Sequence, residues 1–246
     1  MDTNFRAVYR VHCTVRANLP MKLSLPVLLS VTGGYVDSAG FLALQGLFSA
    51  HVTGNFVTLG AALVLGRSGV VSKLIALPLF CVVVALVRVL GYALAAHATS
   101  QLRVLLSLKL VLLLAGAVLA VWLGPFTNGD GWPALLTGMT LVSAMAVQNA
   151  VQRLYLGAMP PTTIMTGNTI QIMIDLADLL RGVPPAARGA IRARLSRRSV
   201  SVTAFAAGCA AAALIYAKQG VWCFVLPPLI AACTLWLGES IPEKIA

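Results

Sequence analysis

Apolar residues run along this chain in eight stretches, separated by short polar or glycine-bearing gaps. The stretches lie at roughly 24–47, 48–66, 74–97, 103–124, 133–158, 162–180, 198–217 and 220–238. Several approach the ~20 residues a helix needs to cross a bilayer. They are continuous rather than alternating, which argues for helices and against a β-barrel. The pattern predicts an all-α fold: a polytopic transmembrane helix bundle.

The second and sixth stretches are short, and each carries the same triplet. Thr53, Gly54 and Asn55 stand within LFSAHVTGNFVTLG, and Thr166, Gly167 and Asn168 within TTIMTGNTIQIMIDLADLL, an offset of 113. Asp37 matches Asn149 at an offset of 112, and Gly46 matches Gly157 at 111. A basic segment follows each triplet, Arg67 to Lys73 and Arg181 to Arg198, and residues 104–124 shifted by 113 give 217–237. Matching features in one order predict two internal repeats of about four hydrophobic segments each. The first membrane repeat spans 24–124 and the second 133–238, with a basic N-terminal tail at 1–23 and a C-terminal tail at 239–246.

The triplet reads as a helix break inside the membrane. A helix starting there leaves its first N–H groups open. Thr and Asn side chains can cap those donors, and Gly lets the chain turn or lets a ligand approach. Such helix starts carry partial positive charge and suit an anionic or polar group. Paired interrupted helices at corresponding positions of two repeats point to a transporter binding site. The triplets also have a purely structural reading, as packing and capping devices repeated by symmetry.

Composition agrees with a membrane protein. Of 246 residues, 59% are apolar and 10% charged, against about 25% charged in a water-soluble domain. The net charge of +11 would suggest nucleic acid in a soluble protein. Here the basic residues gather in loops and the N-terminal tail, with no basic patch interleaved with aromatics, so no nucleic-acid partner is expected. The second basic loop, Arg181, Arg188, Arg192, Arg194, Arg197 and Arg198, should be cytoplasmic. With eight spans both termini fall on that side and the repeats run parallel, although Arg103 then lies outside. With re-entrant triplet segments six full spans remain and one basic loop is misplaced. Eight spans is the expected arrangement.

Residues 1–22 resemble a signal-peptide n-region, but the apolar run after Lys22 is too long for one, so it is read as a retained span. Met21-Lys22-Leu23 also reads as an ordinary protein start. The five cysteines, Cys13, Cys81, Cys209, Cys223 and Cys233, are irregularly spaced and form no CxxC. They indicate neither a disulfide framework nor a metal site, and no cofactor pattern is present.

Charges inside the stretches are candidate chemistry. Asp37 sits near the middle of the first stretch, where a carboxylate costs at least ~2.5 kcal/mol. Arg88 in the third stretch is its candidate partner, and the pair is either a fixed structural ion pair or a proton or substrate site. Asn168, Gln171, Asp175 and Asp178 fall on one helical face. Asp178 suits an ordinary surface pairing with Arg181, whereas Asp175 has no such simple reading. Ala62 occupies the Asp175 position in the first half. Ser30, Gly34 and Ser38, spaced by four, form a small-residue face for helix contact. His51 and His97 fall near outer ends of their stretches and read as interfacial anchors that could titrate near neutral pH.

GGYVDSAGFLALQGLFSAHVTGN at 33–55 and MTGN at 165–168 resemble the YoaK-like proteins, a bacterial membrane family also described as a domain of unknown function. The most specific part is Gly34-Tyr35-Val36-Asp37 with Gly40-Phe41, followed by the first triplet. Val52 stands where the family more often has Met, as Met165 does in the second copy. The resemblance covers residues 24–238 and implies the bacterial inner membrane, with no established substrate.

The expectation is a small-molecule transporter or permease in the lipid bilayer, taking a small polar or ionic solute between the repeats. Thr53, Gly54, Asn55, Thr166, Gly167 and Asn168 would line the site, and Asp37, Arg88 and Asp175 would carry charge or coupling. The alternatives are a non-transporting scaffold or sensor subunit and, less favoured, a membrane enzyme. No HExxH, GxSxG or carboxylate–His constellation occurs, so no catalytic residue and no enzyme activity are expected. A homo-oligomer stays open.

Overall fold

The computed structural model describes residues 24–95 and 101–238. The tails 1–23 and 239–246, with Cys13, and His97 lie outside the described residues. The described residues form α1 (Leu25–Ala43), a 3-10 turn (Val52–Gly54), α2 (Asn55–Leu65), α3 (Val70–Ala95), α4 (Gln101–Leu123), α5 (Trp132–Tyr155), α6 (Met165–Arg181), α7 (Pro185–Gln219), a second 3-10 turn (Gly220–Val225) and α8 (Leu226–Gly238). Cys81, Cys209, Cys223 and Cys233 are free thiols.

Among the described residues, five apolar helical stretches are long enough to cross a membrane: Leu25–Ala43, Val70–Leu94, Gln101–Leu123, Trp132–Tyr155 and the 53 residues of Pro185–Leu237. The last is folded back on itself at Gly220, where a φ of 54° ends α7. Val221 then lies against Gly124 at one end of the bundle, while Leu235 packs against the core cluster that includes Leu25, Leu29 and Leu105 at the other. Among the described residues this makes five longer helices, α1, α3, α4, α5 and α7, and the 13-residue α8 as a sixth leg. Outside them, Phe56, Val64, Leu86, Trp122, Leu180 and Trp236 expose apolar surface suited to lipid.

The eight-span arrangement expected from hydropathy is not what the chain adopts. α1 closes with a turn in which Gly46 N–H donates to Phe41 O at 2.9 Å, and Gln45 and Gly46 both take positive φ. The chain then doubles back along α1 until Ser49, Ala50 and His51 reach Asp37. From there α2 returns to the end it came from, since α3 begins beside Gln45: Lys73 Nζ donates to Gln45 O at 2.7 Å. With 11 residues α2 is about 16 Å long, half of a bilayer core. The segment thus enters and leaves at the same end of the bundle, the path of a re-entrant loop.

The second triplet segment does the same from the opposite end. After α5 the chain doubles back until Thr163 Oγ1 donates to Asn149 Oδ1 at 2.6 Å. α6 then runs outward against α7, held by Asn168–Arg198 and Asp175–Arg194.

The two halves also run in opposite directions, a second departure from expectation. Gln148 Nε2 donates to Leu29 O at 2.8 Å, and Leu47 fills the space over Gly138. The start of α1 therefore lies beside the end of α5, and the two helices are antiparallel rather than parallel. α7 runs parallel to α1, from Ser30 against Ser201 to Gly34 against Cys209.

That α1–α7 contact uses the small-residue face of Ser30, Gly34 and Ser38. A Cβ on Gly34 would stand 2.1 Å from Phe205 O, and one on Gly208 would stand 2.2 Å from Val31 O. Backbone meets backbone, as small residues permit in membrane helices.

The segment expected as a basic loop at 181–198 is mostly helix. α7 starts at Pro185 and runs 35 residues without a break. Pro at the first turn and the Ala- and Arg-rich run after it are good helix material, so the helix projects past its apolar part. At the opposite end, Lys73 is 4% exposed and spends its donors on Gln45 O and Gly69 O. That explains how the first basic segment can sit away from the arginine-rich face.

Asp130, in the loop before α5, caps α3 from about 60 residues away. Its carboxylate accepts N–H bonds from Gly69, Val70, Val71 and Ser72 at 2.8, 3.2, 2.8 and 3.4 Å. Burial pushes this carboxyl up, but the Gly69, Val71, Ser72 and Val70 donors outweigh it and hold it below the usual carboxylate range. A folded-state pKa below the unfolded value means the stabilisation is complete above ~4 and fades as pH falls through the folded value. Asp130→Ala should lower stability by about 0.5–2 kcal/mol at pH 7, and its difference from wild type should shrink in melts run progressively below pH 4.

Candidate functional site

The two re-entrant loops meet in the middle of the bundle. Asp37, 3% exposed, accepts N–H bonds from Ser49, Ala50 and His51 at 2.8, 2.6 and 3.2 Å. Its second oxygen also pairs with His51 Nδ1. These bonds satisfy an irregular backbone that lipid could not satisfy. Asn149, at the matching position of the second half, also holds its loop, but through the Thr163 hydroxyl rather than through backbone N–H groups.

His51 joins the halves. Its ring pairs with Asp37, lies beside the Thr163 backbone, and stands edge-on to Phe205 with centroids 5.4 Å apart. The polar path Asp37–His51–Thr163–Asn149 therefore runs from one loop to the other. Interfacial anchoring, expected for His51, is overturned: the doubling back of residues 44–51 carries it from the helix end to the bundle centre. His51 keeps 37% of its side chain exposed, so the path is not sealed.

The triplets hold the loops in shape. Asn55 Nδ2 donates to Phe48 O and its Oδ1 accepts from Phe48 N–H, both at 2.8 Å. Asn168 Nδ2 donates to Pro161 O at 2.8 Å, again seven residues back. Proline has no N–H to give, and Asn168 Oδ1 instead accepts from Arg198 Nη1 at 3.0 Å. Neither half-helix has a side-chain N-cap bond, so the capping expected of Thr and Asn does not occur, because both asparagines face backward. Thr53, Thr166 and Gly167 are exposed, Gly54 is half-buried against the Phe48 ring, and the two asparagines are buried. Each asparagine bonds within its own half, and the link between halves is made by His51 and Thr163.

Arg88 does not pair with Asp37. α3 runs away from the Asp37 end, so Arg88 lies near the far end, exposed, with its guanidinium 4.3 Å over the Tyr92 ring. Asp175 is fully buried and accepts from Arg194 Nε at 2.9 Å and from Gln171 Nε2 at 2.8 Å. The polar face of α6 is thereby taken up by contact with α7.

His51 and Thr163 carry the centre of the site; the sequence marked His51 only as an anchor at a helix end and did not mark Thr163. The available signal was their place just before the two triplets. Lys109 was also silent: it is fully buried in α4, and its Nζ has no hydrogen-bond partner among the described residues. Gly116 against Leu141 and Tyr155 against Gln101 fix the antiparallel register of α4 on α5, which sets Lys109 level with Gln148.

No curated protein and no solved structure matches the chain. A family model described as "Protein of unknown function (DUF1275)" matches residues 25–237. The chain belongs to that family of proteins of unknown function, to which the YoaK-like proteins also belong.

Proposed function

We propose that this protein is a small-solute transporter of the bacterial inner membrane and not an enzyme. One observation carries the reading: two re-entrant half-helices enter from opposite ends and their loops meet mid-bundle at His51 and Thr163. Non-helical backbone at membrane depth is tolerated where it is covered by protein or lines a water-filled cavity, and interrupted helices in inverted halves are a recurring way to build a transport site. The matched features of the two halves are read as an internal duplication in inverted orientation. The solute passes where the loops meet, with Asp37, His51, Thr163 and Asn149 presenting polar groups. The triplets act by fixing the loop shape through Asn55 and Asn168. The arginine-rich face is cytoplasmic by the positive-inside rule, and the start of α1 at Leu25 and the end of α8 at Gly238 lie on that side.

The test is uptake by liposomes carrying the purified protein, using a pool of labelled small polar metabolites and inorganic ions. At least one label should enter faster than into empty liposomes, and His51→Gln should slow it while leaving the melting temperature near wild type. The transport reading fails if no label enters through folded protein. The role given to the triplets fails if an Asn55→Ala, Asn168→Ala double variant folds normally and transports at the wild-type rate.

A further inference from the structure

A cavity of about 310 Å³ opens between the second re-entrant loop and the lower part of α7. Arg153, Arg194, Arg197 and Arg198 line it, and Asn149 and Thr163 stand at its inner end. It thus leads from the arginine-rich face toward the point where the loops meet.

Arginine on this face is expected from membrane topology alone, so position by itself says little. The cavity says more. Of its four arginines, only Arg194 pairs with a carboxylate among the described residues, Asp175. Arg198 is held in place by Asn168, and its Nε is buried with no hydrogen-bond partner among the described residues. A buried guanidinium N–H left without an acceptor is costly, and a planar fork of donors suits a carboxylate or phosphate. Gln152, which also lines the cavity, has its Oε1 buried and unpartnered among the described residues.

We propose that this cavity binds a phosphate or carboxylate group, held by Arg198 and Arg153 with Arg197 closing over it. Two sources share that chemistry: a small soluble anion and the phosphate of an anionic lipid headgroup. The inference rests on the transport reading for what the anion does, and not for the binding itself. A transporter of a neutral solute could lack the anion site, and the anion site could exist in a protein that moves nothing.

The experiment is a thermal melt of the purified chain in phosphatidylcholine nanodiscs, titrated with inorganic phosphate against sodium chloride at equal ionic strength, which controls for screening. A second set of discs contains phosphatidylglycerol. Saturable stabilisation by phosphate in the neutral discs supports a soluble anion. Stabilisation only in the phosphatidylglycerol discs supports a headgroup. In either case Arg198→Gln and Arg153→Gln should weaken the effect by at least about tenfold, as expected for losing a hydrogen bond to a charged group. Arg188→Gln, on the same face but outside the cavity lining, should leave it unchanged. If Arg198→Gln fails to fold for want of its bond to Asn168, Arg153→Gln and Arg197→Gln carry the test, since both residues are exposed. No saturable effect in either disc, or an equal loss in Arg188→Gln, overturns the proposal.

Discussion

A Gly208→Ala variant is expected to melt far below the wild type in detergent, or to fail to accumulate. The added Cβ would stand 2.2 Å from Val31 O and 3.0 Å from the Tyr35 backbone nitrogen, and neither is a flexible side chain that can turn aside. α1 and α7 must separate by roughly an ångström, undoing the contact on both sides of the crossing. Overpacking of this kind costs about 3 kcal/mol or more. The same helix supplies the control. Gly189 has open space around its Cβ position, so Gly189→Ala should be neutral or add up to ~1 kcal/mol through helix propensity. A Gly208→Ala variant as stable as Gly189→Ala would show that α1 and α7 do not cross here.

Asp37→Ala should be nearly as damaging, for a different reason. It removes the acceptor for the Ser49, Ala50 and His51 N–H groups, and each buried donor left unpaired costs about 1–3 kcal/mol. The expected loss is roughly 3–5 kcal/mol, with the first re-entrant loop released. Asp37→Asn keeps one carbonyl oxygen for the Ser49 and Ala50 donors, so its loss should be roughly 1–2 kcal/mol. Melting temperature and protease nicking within residues 44–54 read the contrast directly. Equal stability of the two variants would mean that the negative charge, rather than hydrogen-bond acceptance, holds the loop.

Much of this architecture was legible in the sequence. Long apolar stretches gave the spans, and Ser30, Gly34 and Ser38 gave the α1 face that meets α7. The repeated triplets located both helix breaks, Asp37 was singled out, and Gly34-Tyr35-Val36-Asp37 with the first triplet pointed to the family. The direction of each element was not legible. Hydropathy registers that residues 48–66 are apolar, and it is blind to the turn at Gln45–Gly46 that sends them back where they came from. The expected direction of the repeats and the place of His51 both turn on that point. A crossing α2 makes the repeats parallel and sets His51 at a helix end, and depth alone makes Arg88 a partner for Asp37, whereas α3 runs away from the Asp37 end. Lys73 misled for another reason, since a basic residue bonded inside the fold says nothing about the cytoplasm. The Arg198 cavity was out of reach, because it forms only when residues 157–164 and α7 come together.

The first re-entrant loop has a consequence for how the chain is made. Residues 44–54 leave the ribosome long before Gly138, which accommodates Leu47, and Phe205, which covers the His51 ring. Asp37 and Asn55 are already present and can shape the loop, but the protein walls around it are not. Irregular backbone facing lipid is not tolerated, so the newborn loop must wait at the water interface. It can sink to mid-membrane only after α5 and α7 have been translated and inserted. The second loop waits for less: α1 and α5 are beside it as it emerges, and α7 alone is missing. Biogenesis therefore runs against chain order, with the first loop made early and seated among the last parts of the molecule.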